Sequence, residues 1–222
     1  MRVLVLTGAG RGFCSGADTE MLIALAMGKP VPGAVAQESW HKNLEPIGWF
    51  GVEVSQLEKP TIAAIEGWCL AGGLELALWC DLRIASAGSQ LGFPERRWGV
   101  PLIDGGTQRL PRIVGPGKAI ELITTAAKID ADEAFRIGLV ERLVSDEELE
   151  PAAHDLAATI AAQPPLAVRG AKRAVHAALD GRSVRDGLVV EAEGQSVCMG
   201  SDDFREAITA FVEGRPPLYQ GR

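Results

Sequence analysis

The sequence lacks an excess of positive charge, paired cysteines and long hydrophobic runs. Its 222 residues include 22 Lys and Arg against 29 Asp and Glu, which gives a formal net charge of −7. Nucleic-acid binders and proteins of anionic membranes need a basic face, so both classes are disfavoured. The four cysteines form no CxxC pair, which predicts reduced thiols in a cytoplasmic protein. Because there is also no apolar run of transmembrane length and no signal-peptide pattern, we expect neither a membrane nor a nucleic acid as a partner.

Several familiar catalytic and binding motifs are also absent. Residues Gly8–Phe13 imitate a dinucleotide-binding fingerprint, but Phe13 occupies the position of the third glycine. Ser15 does not lie in the GxSxG pattern of a hydrolase nucleophile. The three histidines are scattered without metal-ligand spacing: His41, His154 and His176. The sequence therefore gives little support to a serine hydrolase or a zinc enzyme, and we predict no metal site.

The distribution of apolar residues predicts an α/β protein. Arg2–Thr7, Thr61–Ile65 and Leu82–Ala85 are short apolar runs typical of buried strands. From residue 149 onward, apolar residues recur at spacings of three or four, which predicts a series of amphipathic helices. Strand–helix alternation followed by a helical tail indicates an α/β core with an appended helical module. The stretch Pro30–Lys59 fits either a flap over a pocket or a surface helix.

Two glycine-bearing turns stand where predicted strands lead into predicted helices. Gly16-Ala17-Asp18 follows the first strand, and Ala71-Gly72-Gly73 follows a second run of strand residues. The first N–H groups of a helix have no intrahelical acceptor and favour negative charge, so two such turns that converge could bind an oxyanion. Taken alone, the spacing favours two ordinary capped turns.

Two carboxylates follow in the chain. Glu75 lies three residues after Gly72, within the first turn of the predicted helix, and Glu95 follows a Phe-Pro pair. Two carboxyls at one pocket can divide acid and base roles, but each also has a simpler interpretation. Glu75 could complement the helix dipole, and Glu95 could be a solvated loop charge. We further predict that Asp104 caps a helix that runs to Ile113.

The order of several motifs makes the chain resemble the enoyl-CoA hydratase/isomerase (crotonase) family. The resemblance covers essentially the whole chain and includes the C-terminal residues Ala210–Pro217. The motifs that carry it are Thr7–Asp18, Lys59–Gly67, Ala71–Ala77 with Cys80-Asp81, and Gly105–Leu110.

The resemblance implies roles for individual residues. The backbone N–H groups of Ala17 and Gly72 would form the oxyanion hole, and Glu75 and Glu95 would be the two catalytic glutamates of a hydratase. We expect Glu75 to act as the base and Glu95 as the acid. The substrate-binding set that the resemblance implies comprises Ser15, Ala17, Asp18 and Gly72.

The resemblance also implies a fold and a function. The fold would be a crotonase-like ββα superhelix over residues 1–163, followed by a helical trimerisation region over residues 164–222. Family members normally open with two strands and a helix before the strand that here begins at Arg2, so we expect these elements to be missing. The implied reaction is the addition of water to a 2-enoyl-CoA in a homotrimer or a dimer of trimers. No cofactor is expected, because coenzyme A is part of the substrate.

Two alternatives stay open. The same fold could catalyse another acyl-CoA reaction, such as isomerisation, dehydration or hydrolysis. The chain could also be a non-catalytic relative that binds coenzyme A.

Overall fold

The structure, a computed structural model, describes residues 1–29 and 57–222 and alternates short strands with helices. Residues 30–56, which include nearly all of the predicted flap, lie outside the described residues. The chain groups into two units. One unit comprises Met1–Val5, Glu58–Ile62 and Ala153–Arg222, and the other comprises Leu6–Leu57 and Ala63–Ala152.

The described residues contain two sheets. A four-stranded sheet has the order β1-β2-β4-β7, and a three-stranded sheet has the order β3-β5-β6. The pairs β4–β7 and β3–β5 are parallel, whereas β5 and β6 are antiparallel. The strands are β1 (Leu4–Thr7), β2 (Thr61–Ile65), β3 (Trp68–Leu70), β4 (Leu82–Ser86), β5 (Gln90–Gly92), β6 (Lys128–Asp130) and β7 (Arg142–Val144).

The helices confirm the periodicity predicted from the sequence. Short 3₁₀ helices span Pro94–Trp98 and Asp146–Glu148. The α-helices within the described residues are α1 (Thr19–Ala26), α2 (Gly72–Trp79), α3 (Gly106–Val114), α4 (Pro116–Thr125), α5 (Ala131–Arg136), α6 (Leu149–Ala161), α7 (Pro165–Leu179), α8 (Val184–Met199) and α9 (Asp202–Glu213).

One predicted helix cap is wrong. Helix α3 begins one residue later than a cap at Asp104 requires, because its N-cap is Gly105, whose φ of 94° lies in the left-handed region. No side chain caps this helix. The Asp104 carboxylate is therefore left for another role.

The core of residues 63–152 forms around β2 and α2. All five residues of β2 are buried, as expected for an apolar strand covered on both faces. The cluster also takes apolar side chains from β5 and from helices α3 to α5; its largest fully buried members are Phe93, Ile65, Leu74, Leu91, Leu110, Leu139 and Val140. This packing fixes the start of α2 and the segment that follows β5, which carry the candidate site.

The helices of residues 153–222 form their own packing. Gly170 of α7 and Gly194 of α8 let the two backbones approach closely, since a Cβ at Gly194 would lie 3.6 Å from the Cα of Gly170. The Asp203 carboxylate accepts hydrogen bonds from the N–H groups of Gln220 and Gly221, which ties down the C-terminal residues. None of the described helices is both long and apolar enough to cross a membrane. The trimerisation role of residues 164–222 stays a prediction.

Candidate active site

Two parallel backbone segments lead into the two glycine-bearing turns. Cys14 and Cys69 form a parallel bridge, in which the N–H of Cys14 donates to the carbonyl of Trp68 and the N–H of Leu70 donates to the carbonyl of Cys14, both at 2.9 Å. The chain then turns at Gly16 on one segment and enters α2 at Gly72 on the other. A β-type hydrogen-bond pattern therefore places the two turns side by side.

The turns are in close contact. Gly16 adopts a φ of 99°, and a Cβ at this position would lie 2.7 Å from the Cβ of Ala71 and 3.4 Å from the amide nitrogen of Gly72. Only glycine has both the conformational freedom and the small size that this position requires. The residues on which the oxyanion-hole prediction depends, Ala17 and Gly72, thus lie on adjoining turns.

Both of these backbone amides lack an acceptor within the described part of the chain. Helix α2 begins at Gly72, and its first hydrogen bonds run from the N–H groups of Leu74 and Glu75 to the carbonyl of Ala71. The Gly72 N–H therefore precedes the hydrogen-bond ladder of the helix. Ala71 itself has φ 57° and ψ −132°, a backbone conformation that L-residues seldom adopt. This strained residue sets the direction of the Gly72 amide.

Glu75 is the most deeply buried carboxylate of the site, with 2% of the residue exposed. Its Oε1 accepts hydrogen bonds from the N–H groups of Gly106 (2.7 Å) and Asp104 (3.0 Å). Burial raises the pKa of Glu75 to about 7; the charges of Asp104 and Glu95 add to the rise, and the two N–H groups oppose it. Glu75 can therefore carry or release a proton near neutral pH.

Glu95 lies in the 3₁₀ helix Pro94–Trp98, directly after the buried Phe93. Its side chain is only 13% exposed, and among the described residues neither carboxylate oxygen has a hydrogen-bond partner. The pKa of Glu95 is raised by burial, and the charge of Arg96, whose Nη2 lies 4.0 Å from Oε2, opposes the rise. Since the charge of Glu95 also raises the pKa of Glu75, the structure brings the two glutamates within electrostatic reach of each other. The interpretation of Glu95 as a solvated loop charge is wrong.

A third carboxyl lies beside the same turn and was not predicted as part of the site. Oδ2 of Asp104 lies 3.7 Å from the position that a Cβ would take at Gly72, and the Cα of Gly16 lies 3.9 Å from that position. The Arg109 Nη1 donates to the Asp104 carbonyl at 2.8 Å. Burial raises the pKa of Asp104, and the Arg109 charge opposes this. The signal that the sequence offered here was the pair Gly105-Gly106. A side chain at Gly106 would crowd Glu75, since a Cβ there would lie 3.0 Å from Glu75 Oε1.

The other two predicted substrate-binding residues lie at the exposed side of the first turn. Ser15 is exposed. Asp18 is also exposed, and its Oδ1 accepts hydrogen bonds from the N–H groups of Glu20 (2.7 Å) and Met21 (3.2 Å). Asp18 thus caps α1, and its substrate-binding role stays a prediction. Within the described residues, no group of three or more His, Cys, Asp or Glu side chains could hold a metal ion.

Comparison with known proteins places this chain in a family. A family profile described as enoyl-CoA hydratase/isomerase matches residues 1–222. This chain belongs to the enoyl-CoA hydratase/isomerase family. Its relatives in the family include a crotonyl-CoA hydratase of Syntrophomonas wolfei, which is 40% identical over 217 residues, or 97% of this chain and 79% of the relative. A short-chain-enoyl-CoA hydratase of Clostridium acetobutylicum is 38% identical over 96% of this chain and 77% of its own length.

Solved structures of this family share the fold. The crystal structure of an enoyl-CoA hydratase from Bacillus anthracis superposes with a TM-score of 0.85 at 38% identity, and the match covers 100% of this chain and 82% of that one. The predicted crotonase fold, with its C-terminal helical region, is therefore confirmed.

Proposed function

We propose that this member of the enoyl-CoA hydratase/isomerase family is an enoyl-CoA hydratase, which adds water across the double bond of a 2-enoyl-CoA thioester. The observation that supports this proposal is that two backbone amides without an acceptor among the described residues, at Ala17 and Gly72, lie on adjoining turns near the buried Glu75 and the half-buried Glu95. The crotonyl-CoA hydratase and short-chain-enoyl-CoA hydratase among the relatives agree with it.

The amides would act on the thioester carbonyl. When water attacks the β-carbon, negative charge moves onto the thioester oxygen as an enolate forms. Two N–H donors at that oxygen stabilise the charge, and each is typically worth about 3 kcal/mol of barrier in sites of this kind. The fixed Ala71–Gly72 turn holds one donor in place before the substrate arrives.

The two glutamates would transfer the protons of the reaction. One carboxylate takes a proton from the attacking water, while the other carboxyl gives a proton to the α-carbon. The pair therefore needs one proton at the start and holds one at the end. Burial raises the pKa of both Glu75 and Glu95, which favours the retention of this shared proton near neutral pH. We propose Glu75 as the base and Glu95 as the acid. The reaction requires no separate cofactor, because coenzyme A belongs to the substrate.

The decisive experiment compares wild-type protein with Glu95→Gln on crotonyl-CoA. We expect the wild type to yield a product heavier by one water, as measured by mass spectrometry. Glu95→Gln should lower kcat by about 10²–10⁴, the usual size of an acid–base contribution.

Glu121→Gln, on an exposed position of α4, is the matched control and should leave kcat unchanged. Near-wild-type turnover by Glu95→Gln would contradict the assignment. A product of unchanged mass would indicate an isomerase, and tight binding of acyl-CoA without turnover would indicate a non-catalytic binder.

A further inference from the structure

The backbone and the carboxylate of Asp104 have different surroundings. Its N–H holds Glu75 Oε1, and its carbonyl accepts a hydrogen bond from Arg109. These contacts would persist with any side chain at this position. The carboxylate is not needed for them, and within the described part of the chain no hydrogen bond to it is found.

The carboxylate lies at the turn where the substrate carbonyl would bind. A Cβ at Gly72 would be 3.7 Å from Asp104 Oδ2, so the carboxylate borders the space in front of the Gly72 amide. A negative charge at this place would repel an enolate, which makes it a poor choice for the oxyanion alone.

We infer that Asp104 is a positioning residue for the proton of the site: its negative charge keeps one proton on the Glu75–Glu95 pair at neutral pH. This inference rests on the proposed hydratase function, since the pair needs one proton at the start of each cycle. The groups that face Glu75 agree with it. Asp104 lies directly beside Glu75, because its own N–H donates to Glu75 Oε1 at 3.0 Å. The carboxylates of Asp104 and Glu95 oppose ionisation of Glu75, whereas the N–H groups of Gly106 and Asp104 and the charge of Arg109 favour it.

Among the residues that the structure describes, Arg109 and Arg96 are the cations that interact with this cluster. Arg109 interacts with both Asp104 and Glu75, and burial lowers the pKa of its guanidinium. Arg96 interacts with Glu95. Three buried or half-buried carboxyls, those of Glu75, Glu95 and Asp104, therefore lie near only these two cations of the described part of the chain. Retention of a proton in the cluster reduces this imbalance of negative charge.

The test is the pH dependence of Asp104→Asn, which keeps the size and the backbone amide of the residue but removes the charge. In the hydration of crotonyl-CoA, we expect the alkaline limb of the kcat/KM profile to move to lower pH by about half to one pH unit. Asp132→Asn, an exposed carboxylate in the first turn of α5, is the control and should not move the limb.

Infrared titration of the ligand-free protein separates this inference from the proposed function. The C=O band of the proton shared by Glu75 and Glu95 is identified by its change in Glu75→Gln and in Glu95→Gln, and its midpoint should fall by a similar amount in Asp104→Asn. If the wild type lacks hydratase activity but the midpoint falls, the proposed function is wrong and the effect of Asp104 on the proton stands.

If folded Asp104→Asn shows neither a shifted alkaline limb of the kcat/KM profile nor a shifted midpoint of the C=O band, the inference is wrong. A uniform loss of kcat at every pH would likewise show a merely structural role. Should Asp104→Asn fail to fold, Asp104→Ala removes the same charge and is judged by the same two midpoints.

Discussion

The Glu75 carboxylate is fixed by hydrogen bonds, yet its surroundings disfavour its negative charge. Two N–H groups fix its Oε1, at 2.7 and 3.0 Å, while burial and neighbouring carboxylates disfavour its charge. The hydrogen bonds tolerate a neutral acceptor, but the burial penalises only the ionised form. A carboxyl with such surroundings makes folding stability depend on pH.

Glu75→Gln should therefore stabilise the protein at alkaline pH. The pKa of Glu75 rises from 4.5 to about 7 on folding, so between these values the unfolded state releases a proton that the folded state keeps. The contribution of this proton to the free energy of unfolding is fully present below the pKa that Glu75 has in the unfolded state. It is lost as the pH rises through the pKa of the folded state, by up to about 3 kcal/mol. Gln can still accept both hydrogen bonds but has no charge to bury.

Urea unfolding at about pH 5 and about pH 8 measures this effect. The free-energy advantage of Glu75→Gln over wild type should grow with pH, whereas Glu121→Gln should show no such growth. An advantage that is equal at both pH values would show that the charge of Glu75 is not the cause.

At the scale of elements, the start of α2 depends on two adjacent glycines with different surroundings. A Cβ at Gly73 would lie 2.7 Å from the carbonyl carbon of Cys14, which is a backbone atom and not the end of a flexible side chain. A Cβ at Gly72 would meet nothing closer than 3.7 Å. Gly73 therefore serves the packing of the helix against the neighbouring segment, and Gly72 faces open space in front of its own amide.

Alanine at these two positions should have opposite consequences. Gly73→Ala should lower the free energy of unfolding by about 1–3 kcal/mol, the usual cost of overpacking, because the backbone of Cys14 must move. Gly72→Ala should remain close to wild type in stability. Thermal unfolding of both variants, side by side, measures the difference. Equal stability of the two variants would contradict the close approach of α2 to Cys14.

For the whole molecule, the C-terminal helices and the residues that follow them leave many apolar side chains in contact with solvent. Phe211 is 85% exposed, Val184 82%, Val212 78% and Leu218 74%. Monomeric proteins seldom expose so many large apolar side chains within one region, and such surfaces are often covered by another copy. We propose that residues 164–222 take part in a homo-oligomer, as a trimer or a dimer of trimers.

Sedimentation equilibrium at micromolar concentration tests the assembly. We expect a mass of three or six times 23.5 kDa. Phe211→Glu should shift the protein to smaller species, because a buried charge at an apolar interface is costly. Thr124→Glu adds the same charge to an exposed position of α4 and should leave the mass unchanged. A wild-type monomer would contradict the proposal.

Local patterns predicted the elements that position the site. The apolar run Thr61–Ile65 forms a fully buried strand, and α2 starts at Gly72 as expected. Strands β5 and β6 were missed, because three residues are too few to show a period. Asp104 was misread as a helix cap, because capping and site-facing aspartates look alike in sequence.

The sequence by itself determined the family and the order of the elements, and it predicted the two glutamates and the two glycine turns of the site, since these depend on residue types and short spacings. Only the tertiary structure decided that Gly16 touches the Gly72 turn, that Glu75 is held by backbone 29 to 31 residues away, and that Asp104 faces the same space. Such contacts join distant parts of the chain. The burial that raises the pKa of Glu75 exists only once they have formed.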